Sequence, residues 1–86
     1  MEITVKIEKK NDNLKQLREN AGLSQSQLAK LAGVNNRVYQ NYEQGVRDIS
    51  KAQLSTLLRI CKVLDCKLSD IVTDTETIEL LTEYEK

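Results

Sequence analysis

The stretch Gln25-Ser26-Gln27-Leu28-Ala29-Lys30-Leu31-Ala32-Gly33-Val34-Asn35-Asn36-Arg37-Val38-Tyr39-Gln40-Asn41-Tyr42-Glu43-Gln44 decides how this chain folds. Leu28, Leu31 and Ala32 recur at helical spacing, and Ser24 with Gln27 ahead of them has the pattern of a capping box. Gly33 ends that helix, because a residue without Cβ enters the left-handed conformation without steric cost. Asn35 is placed to cap a further helix running to about Glu43, with Gly45 beyond it. Two helices joined by so short a turn cross at about 100°. Leu28, Ala32, Val34, Tyr39 and Tyr42 then face a shared interior, and Ala29 must be small because the following helix passes close over it.

Working outward, Asn13 and Gln16 read as another capping box, opening a helix with Leu14, Leu17 and Ala21 on one face and Gly22 as its stop. Downstream, Ser50 and Gln53 repeat the pattern ahead of the longest helix, whose stripe is Leu54, Leu57, Leu58, Cys61 and Leu64. Leu68 and Ile71 suggest a fifth, short helix around 68–72. At the N-terminal end Ile3, Val5 and Ile7 alternate with Thr4, Lys6 and Glu8, the period of a short strand. Residues 75–84 read as a helix through Ile78, Leu81 and Tyr84, although their threonines also suit a strand beside residues 3–8. The expected architecture is all-α: a five-helix domain over residues 13–73, an N-terminal extension with a strand over 1–12, and an acidic C-terminal extension over 74–86.

With 86 residues the chain has room for one domain. It lacks Pro, Trp and Phe and has three Tyr, so the core must be aliphatic. The formal net charge of zero hides an asymmetry. Up to Lys67 there are 12 Lys and Arg against 7 Asp and Glu; beyond it there is 1 against 6. A basic body with an acidic tail is compatible with a polyanionic partner on the body. The absence of His, of a nucleophile beside a base and of a phosphate-cradling Gly loop argues against an enzyme. Cys61 and Cys66 cannot complete a metal site, and neither a metal nor another cofactor is expected. Their spacing does not put them on one helical face, so Cys61 reads as a core residue and Cys66 as an incidental thiol. Reduced thiols, with no signal peptide and no apolar run long enough for a bilayer, fit the cytoplasm and no membrane partner.

The ordered set Leu14-Lys15-Gln16-Leu17-Arg18, Leu23-Ser24-Gln25, Leu28-Ala29, Ala32-Gly33-Val34 and Tyr42-Glu43-Gln44-Gly45, followed by the Leu-rich helix after Ser50, resembles the Cro/C1-type helix-turn-helix regulators. These are the phage repressors and their bacterial relatives, also called xenobiotic-response-element-type. The resemblance covers roughly residues 14–72 and implies a lambda-repressor-like domain that binds double-stranded DNA. One departure is Tyr39, where the family usually has Ile or Val; its ring is expected to pack with the hydroxyl outward.

By that resemblance the helix at about 36–43 enters the major groove while the helix before it crosses above. Asn36, Arg37, Gln40, Asn41 and Gln44 lie opposite Tyr39 and Tyr42 and carry the donors and acceptors that suit base edges. Gln25, in the first turn of the preceding helix, is matched to a phosphate. Arg47 and Lys51, beyond the reading helix, are expected on the DNA backbone together with Asn41. Arg18 and Glu43 match a structural ion pair in relatives. The function expected is sequence-specific promoter binding, most simply as a repressor and as a homodimer. An antitoxin or protein-interaction module on the same fold is the alternative, with the terminal segments, including Ile3-Val5-Ile7 and Ile78-Leu81-Tyr84, as the surfaces for a second copy or another protein.

Overall fold

In the computed structural model, residues 12–85 are described, and the strand expected over residues 3–8 lies outside them. Five α-helices follow in order: α1 (Asp12–Asn20), α2 (Gln25–Ala32), α3 (Asn36–Gln44), α4 (Leu54–Leu64) and α5 (Thr75–Tyr84). Two 3-10 turns, Ile49–Lys51 and Leu68–Asp70, interrupt the connections on either side of α4. The described residues are helical with no strand among them. The fifth α-helix is the one over 75–84, and the segment around 68–72 closes only the short 3-10 turn.

Local chemistry sets the ends of α2 and α3. The Ser24 hydroxyl accepts from the Gln27 amide at 3.1 Å while the Gln27 side chain accepts from the Ser24 amide at 2.8 Å. Gly33 (φ 70°) and Gly45 (φ 80°) stop the two helices in the left-handed region. Val34 N–H then bonds back to Ala29 O at 2.8 Å, and Val46 N–H to Asn41 O at 3.0 Å. The Arg59 Nε–H of α4 also donates to Ala32 O at 2.8 Å, tying the end of α2 to α4.

Two of the expected caps do something else. Asn13 lies inside α1, and its side-chain amide donates to the backbone carbonyl of Asp70, so it fastens helix to turn instead of opening the helix. Ser50 sits in a 3-10 turn capped by Asp48, whose carboxylate accepts from Ser50 N–H at 2.9 Å. Its hydroxyl accepts the backbone amides of Thr73 and Asp74 at 2.8 and 3.0 Å, and Gln53 gives α4 no side-chain cap. In both places a contact distant in sequence has taken the polar group that a local cap would use.

The core is aliphatic around one aromatic pair: Leu14, Leu28, Ala29, Ala32, Tyr39, Tyr42, Ile49, Leu57, Ile60, Cys61, Leu64 and Ile71. α2 and α4 bury narrower faces than their apolar residues suggested. Leu31 is 63% exposed, Leu54 and Leu58 stand outward from α4, Ala21 is exposed, and Ile60 takes a fully buried place on α4. Cys66 is a second correction. Asp65 ends α4 in the left-handed region (φ 54°), and Cys66 N–H bonds back to Cys61 O at 3.1 Å. The chain reversal brings the two thiols together and packs Cys66 against the core. Burial, with the neighbouring Cys66 thiol, pushes the Cys61 thiol up to about 12, leaving it an unreactive core group.

Candidate nucleic-acid interface

Side chains from α1, α2 and α3 converge on the carboxylate of Glu43. Arg18 of α1 approaches it with Nε 2.6 Å from Oε2 and Nη2 3.2 Å from Oε1, the two-pronged pairing that a guanidinium makes best. Its remaining Nη1 donates to Leu23 O at 2.8 Å, holding the loop into α2. Gln25 of α2 donates to Oε1 at 3.0 Å, and the Tyr39 hydroxyl donates to Oε2 at 2.5 Å. The Arg18 and Glu43 side chains are only 10% and 4% exposed. Tyr39, at 0%, is among the most buried residues of the chain. Its hydroxyl therefore points inward onto the ion pair, against the outward placement expected from sequence. A buried hydroxyl needs an acceptor, and Glu43 one turn along the same helix supplies it.

These contacts tune the groups they join. Burial opposes ionisation of Glu43, but hydrogen bonds from Arg18, Tyr39 and Gln25 outweigh it and hold the carboxyl below its usual range. The Glu43 hydrogen bond raises Arg18 above its ordinary value despite burial. Burial first, then the bond to Glu43, pushes the Tyr39 phenol well above the usual phenol range, so it stays a protonated donor.

With Tyr39, Tyr42 and Glu43 turned inward, α3 presents its other side to solvent. Asn36, Arg37 and Gln44 are exposed there, and Gln40 and Asn41 are half-buried along the edges. Asn35 caps the helix by accepting from the Arg37 and Val38 amides at 2.8 and 3.1 Å, which fixes the first turn carrying Arg37. Arg47 and Lys51 share a shallow groove with Asp48, Gln53 and Thr56 beyond the end of α3. Gln25 and Gln44 line a second cleft with Lys15 of α1. Among the described residues, Arg37, Arg47, Lys51 and Lys15 enter no ion pair. Lys15 was not singled out from sequence. The available signal was its place three residues before Arg18 on a helix, which puts it on the side facing Gln25. Gln25 is half-buried and held by Glu43, so its side chain has a defined direction at the start of α2.

The described residues contain no grouping of His, Cys, Asp and Glu that would hold a metal ion, and no helix long and apolar enough to cross a membrane. A helix-turn-helix family model matches residues 14–71, from within α1 through the second 3-10 turn. The chain belongs to the Cro/C1-type helix-turn-helix family of DNA-binding transcription regulators. The family is a double-stranded-DNA-binding one and not an enzymatic one. No curated protein matches the chain.

Proposed function

We propose that this regulator reads a promoter sequence with the outward side of α3 and represses by occupying that promoter. Its DNA-binding unit is residues 13–73, flanked by extensions over 1–12 and 74–86. Arg37, Gln40, Asn41 and Gln44, with Asn36 at the helix start, meet base edges in the major groove: Arg as a fork on guanine, Asn and Gln on adenine. Gln25, Arg47, Lys51 and Lys15 grip phosphates on either side, and Asn41 reaches the backbone from its edge of the helix. One α3 reads only a few base pairs, so a homodimer is needed for a useful specificity ratio. The observation that carries the reading is the four-way junction at Glu43. It joins α1 and α3 through buried bonds and α2 through a part-buried one, and so ties down how the polar side of α3 projects.

The test is selection of preferred duplexes from a random library, followed by gel shift on the recovered site and on a scrambled one. A recovered motif with two related half-sites supports the reading; no enrichment over scrambled duplex rejects sequence-specific binding. The second reading, an antitoxin or interaction module, draws on the apolar side chains left outside the core at Leu31, Leu54, Leu58, Leu80 and Tyr84. A stable heteromeric complex on sedimentation, with no recovered motif, would favour it.

A further inference from the structure

Where α2 packs on α4, a surface groove is lined by Leu31 of α2 and by Arg59, Lys62 and Val63 of α4. Leu31 stands exposed, and Val63 is half-buried against the core, so the floor is apolar. Arg59 and Lys62 are three residues apart and therefore neighbours on one side of α4. Arg59 donates its Nε–H to Ala32 O, and among the described residues neither cation enters an ion pair. No residue of α3 or of the turn beyond it lines this groove, which is thus a surface separate from the one proposed to read DNA.

The complementary pattern stands on α5. Glu76, Leu80 and Tyr84 follow one another at four-residue spacing and form a row along the helix, with Glu79 and Glu83 in the neighbouring row. Leu80 is 59% and Tyr84 87% exposed, whereas Ile78 and Leu81 are half-buried. From Thr75 to Glu85 there are four glutamates and no cation. Within the chain α5 packs on the second 3-10 turn, and none of its residues lines the α2–α4 groove. An apolar row fringed by carboxylates matches an apolar floor fringed by cations, and the groove that can receive it belongs to another copy. Two α5 rows laid against each other would instead bring glutamates to face glutamates, a like-charge contact that costs stability. Duplex DNA is also the poorer occupant of the groove, since it would neutralise Arg59 and Lys62 but set Leu31 and Val63 against phosphates.

We propose that the homodimer invoked above, on which this assignment rests, forms with the α5 of each copy lying in the α2–α4 groove of the other. Leu80 and Tyr84 cover Leu31 and Val63, and Glu79 and Glu83 meet Arg59 and Lys62. Row and groove are different surfaces, so one contact alone would leave a free groove and a free α5 and grow into an open chain. Two such contacts related by a two-fold axis occupy both and close the dimer.

Sedimentation of the full chain without DNA, at low salt and over a range of concentrations, tests this. The wild type should dimerise. Lys62→Glu, and separately the double variant Glu79→Lys with Glu83→Lys, should each raise the dimer Kd about tenfold or more, because each sets like charges against each other in both contacts. Mixing the two should restore a dimer: one contact then joins two native surfaces, and the other joins two reversed ones. Leu31→Lys, at an exposed position that leaves the core untouched, should weaken the wild-type dimer without disturbing the fold. A dimer indifferent to all of these changes overturns the interface and leaves the dimeric reading standing. A wild type that is monomeric at every concentration overturns both. Variants that lose the dimer but do not recover it on mixing overturn the pairing of groove with α5, and wild-type species that grow without limit overturn the closed arrangement.

Discussion

Glu43 shows how one side chain sets the consequences of several substitutions. Removing the Tyr39 hydroxyl with Tyr39→Phe keeps the buried ring and takes away one bond to a charged acceptor. Such a bond is worth about 1.5–3 kcal/mol, so urea unfolding should show a loss of that order, with the fold intact. A change below about 0.5 kcal/mol, within the range of inconsequential substitutions, would mean the hydroxyl is not bound where it lies. Arg18→Ala goes further: breaking a buried pair costs about 3–5 kcal/mol, against under about 1 for an exposed one. Because Tyr39 and Gln25 still reach Glu43, the Arg18→Ala loss should fall at the lower end, and a cycle with Glu43→Ala should reveal coupling. The pH dependence follows from the depressed Glu43 carboxyl. Its contribution is complete above the ordinary value near 4.5 and is lost as pH falls through the lower folded value. Wild-type stability should therefore drop on acidification below about pH 4.5 more steeply than that of Glu43→Gln. Identical acid limbs in the two proteins would show that Glu43 is not held ionised by the fold.

Among the elements, α3 is where the proposed reading and gripping roles can be told apart. Arg37 stands in its first turn, exposed and without an ion pair among the described residues, where the fork of donors can meet a base edge. Lys51 lies in the 3-10 turn beyond the helix, in the groove it shares with Arg47. Arg37→Ala is expected to cost about 1–3 kcal/mol on the preferred site and to relax the choice of base at one position. Lys51→Ala should weaken all sequences alike. Binding to a panel of single-base operator variants decides, and a uniform loss for Arg37→Ala would mean that α3 meets the groove in another orientation. Sequence made α2 and α3 legible to within a residue because their caps are local: Ser24 and Gln27, Asn35, Gly33 and Gly45 bond to neighbours a few positions away. The misreadings have the opposite character. Asn13 and Ser50 have capping chemistry, but their bonds go to residues 57 and 23 positions distant, which no local pattern contains. Hydrophobic spacing likewise located the apolar side of α4 without its centre, so Leu54 and Leu58 were read inward and Ile60 was passed over. The Tyr39 hydroxyl has a local acceptor one turn along α3, but that carboxylate is held inward by Arg18, 25 positions away on α1.

At the scale of the whole molecule, charge separation says which part can approach a polyanion and how strongly salt should oppose it. The body up to Lys67 carries the excess of cations, and the residues after it carry 6 Asp and Glu against 1 Lys. A DNA approach that brought α5 toward the phosphates would be repelled, so the proposed reading has the polar side of α3 lead. Each neutralised phosphate releases counterions and contributes about −0.9 to the slope of log K against log salt. If Lys15, Arg47 and Lys51 grip phosphates as proposed, the expected slope is about −3 for one protomer and about −5 for two bound together. Two copies reading related half-sites would place them about 34 Å apart, one helical turn along the duplex. A salt titration on the selected operator is therefore expected to show the steeper slope on the full site and the shallower one on an isolated half-site. Lys51→Ala should make the full-site slope shallower by nearly two units, because the substitution is present in both copies. Equal slopes on full and half sites would show that a single protomer makes all the backbone contacts, and the dimeric reading would fall even if sequence preference survived. A flat response on both would remove the phosphate grip itself, since bonds to base edges alone release few counterions.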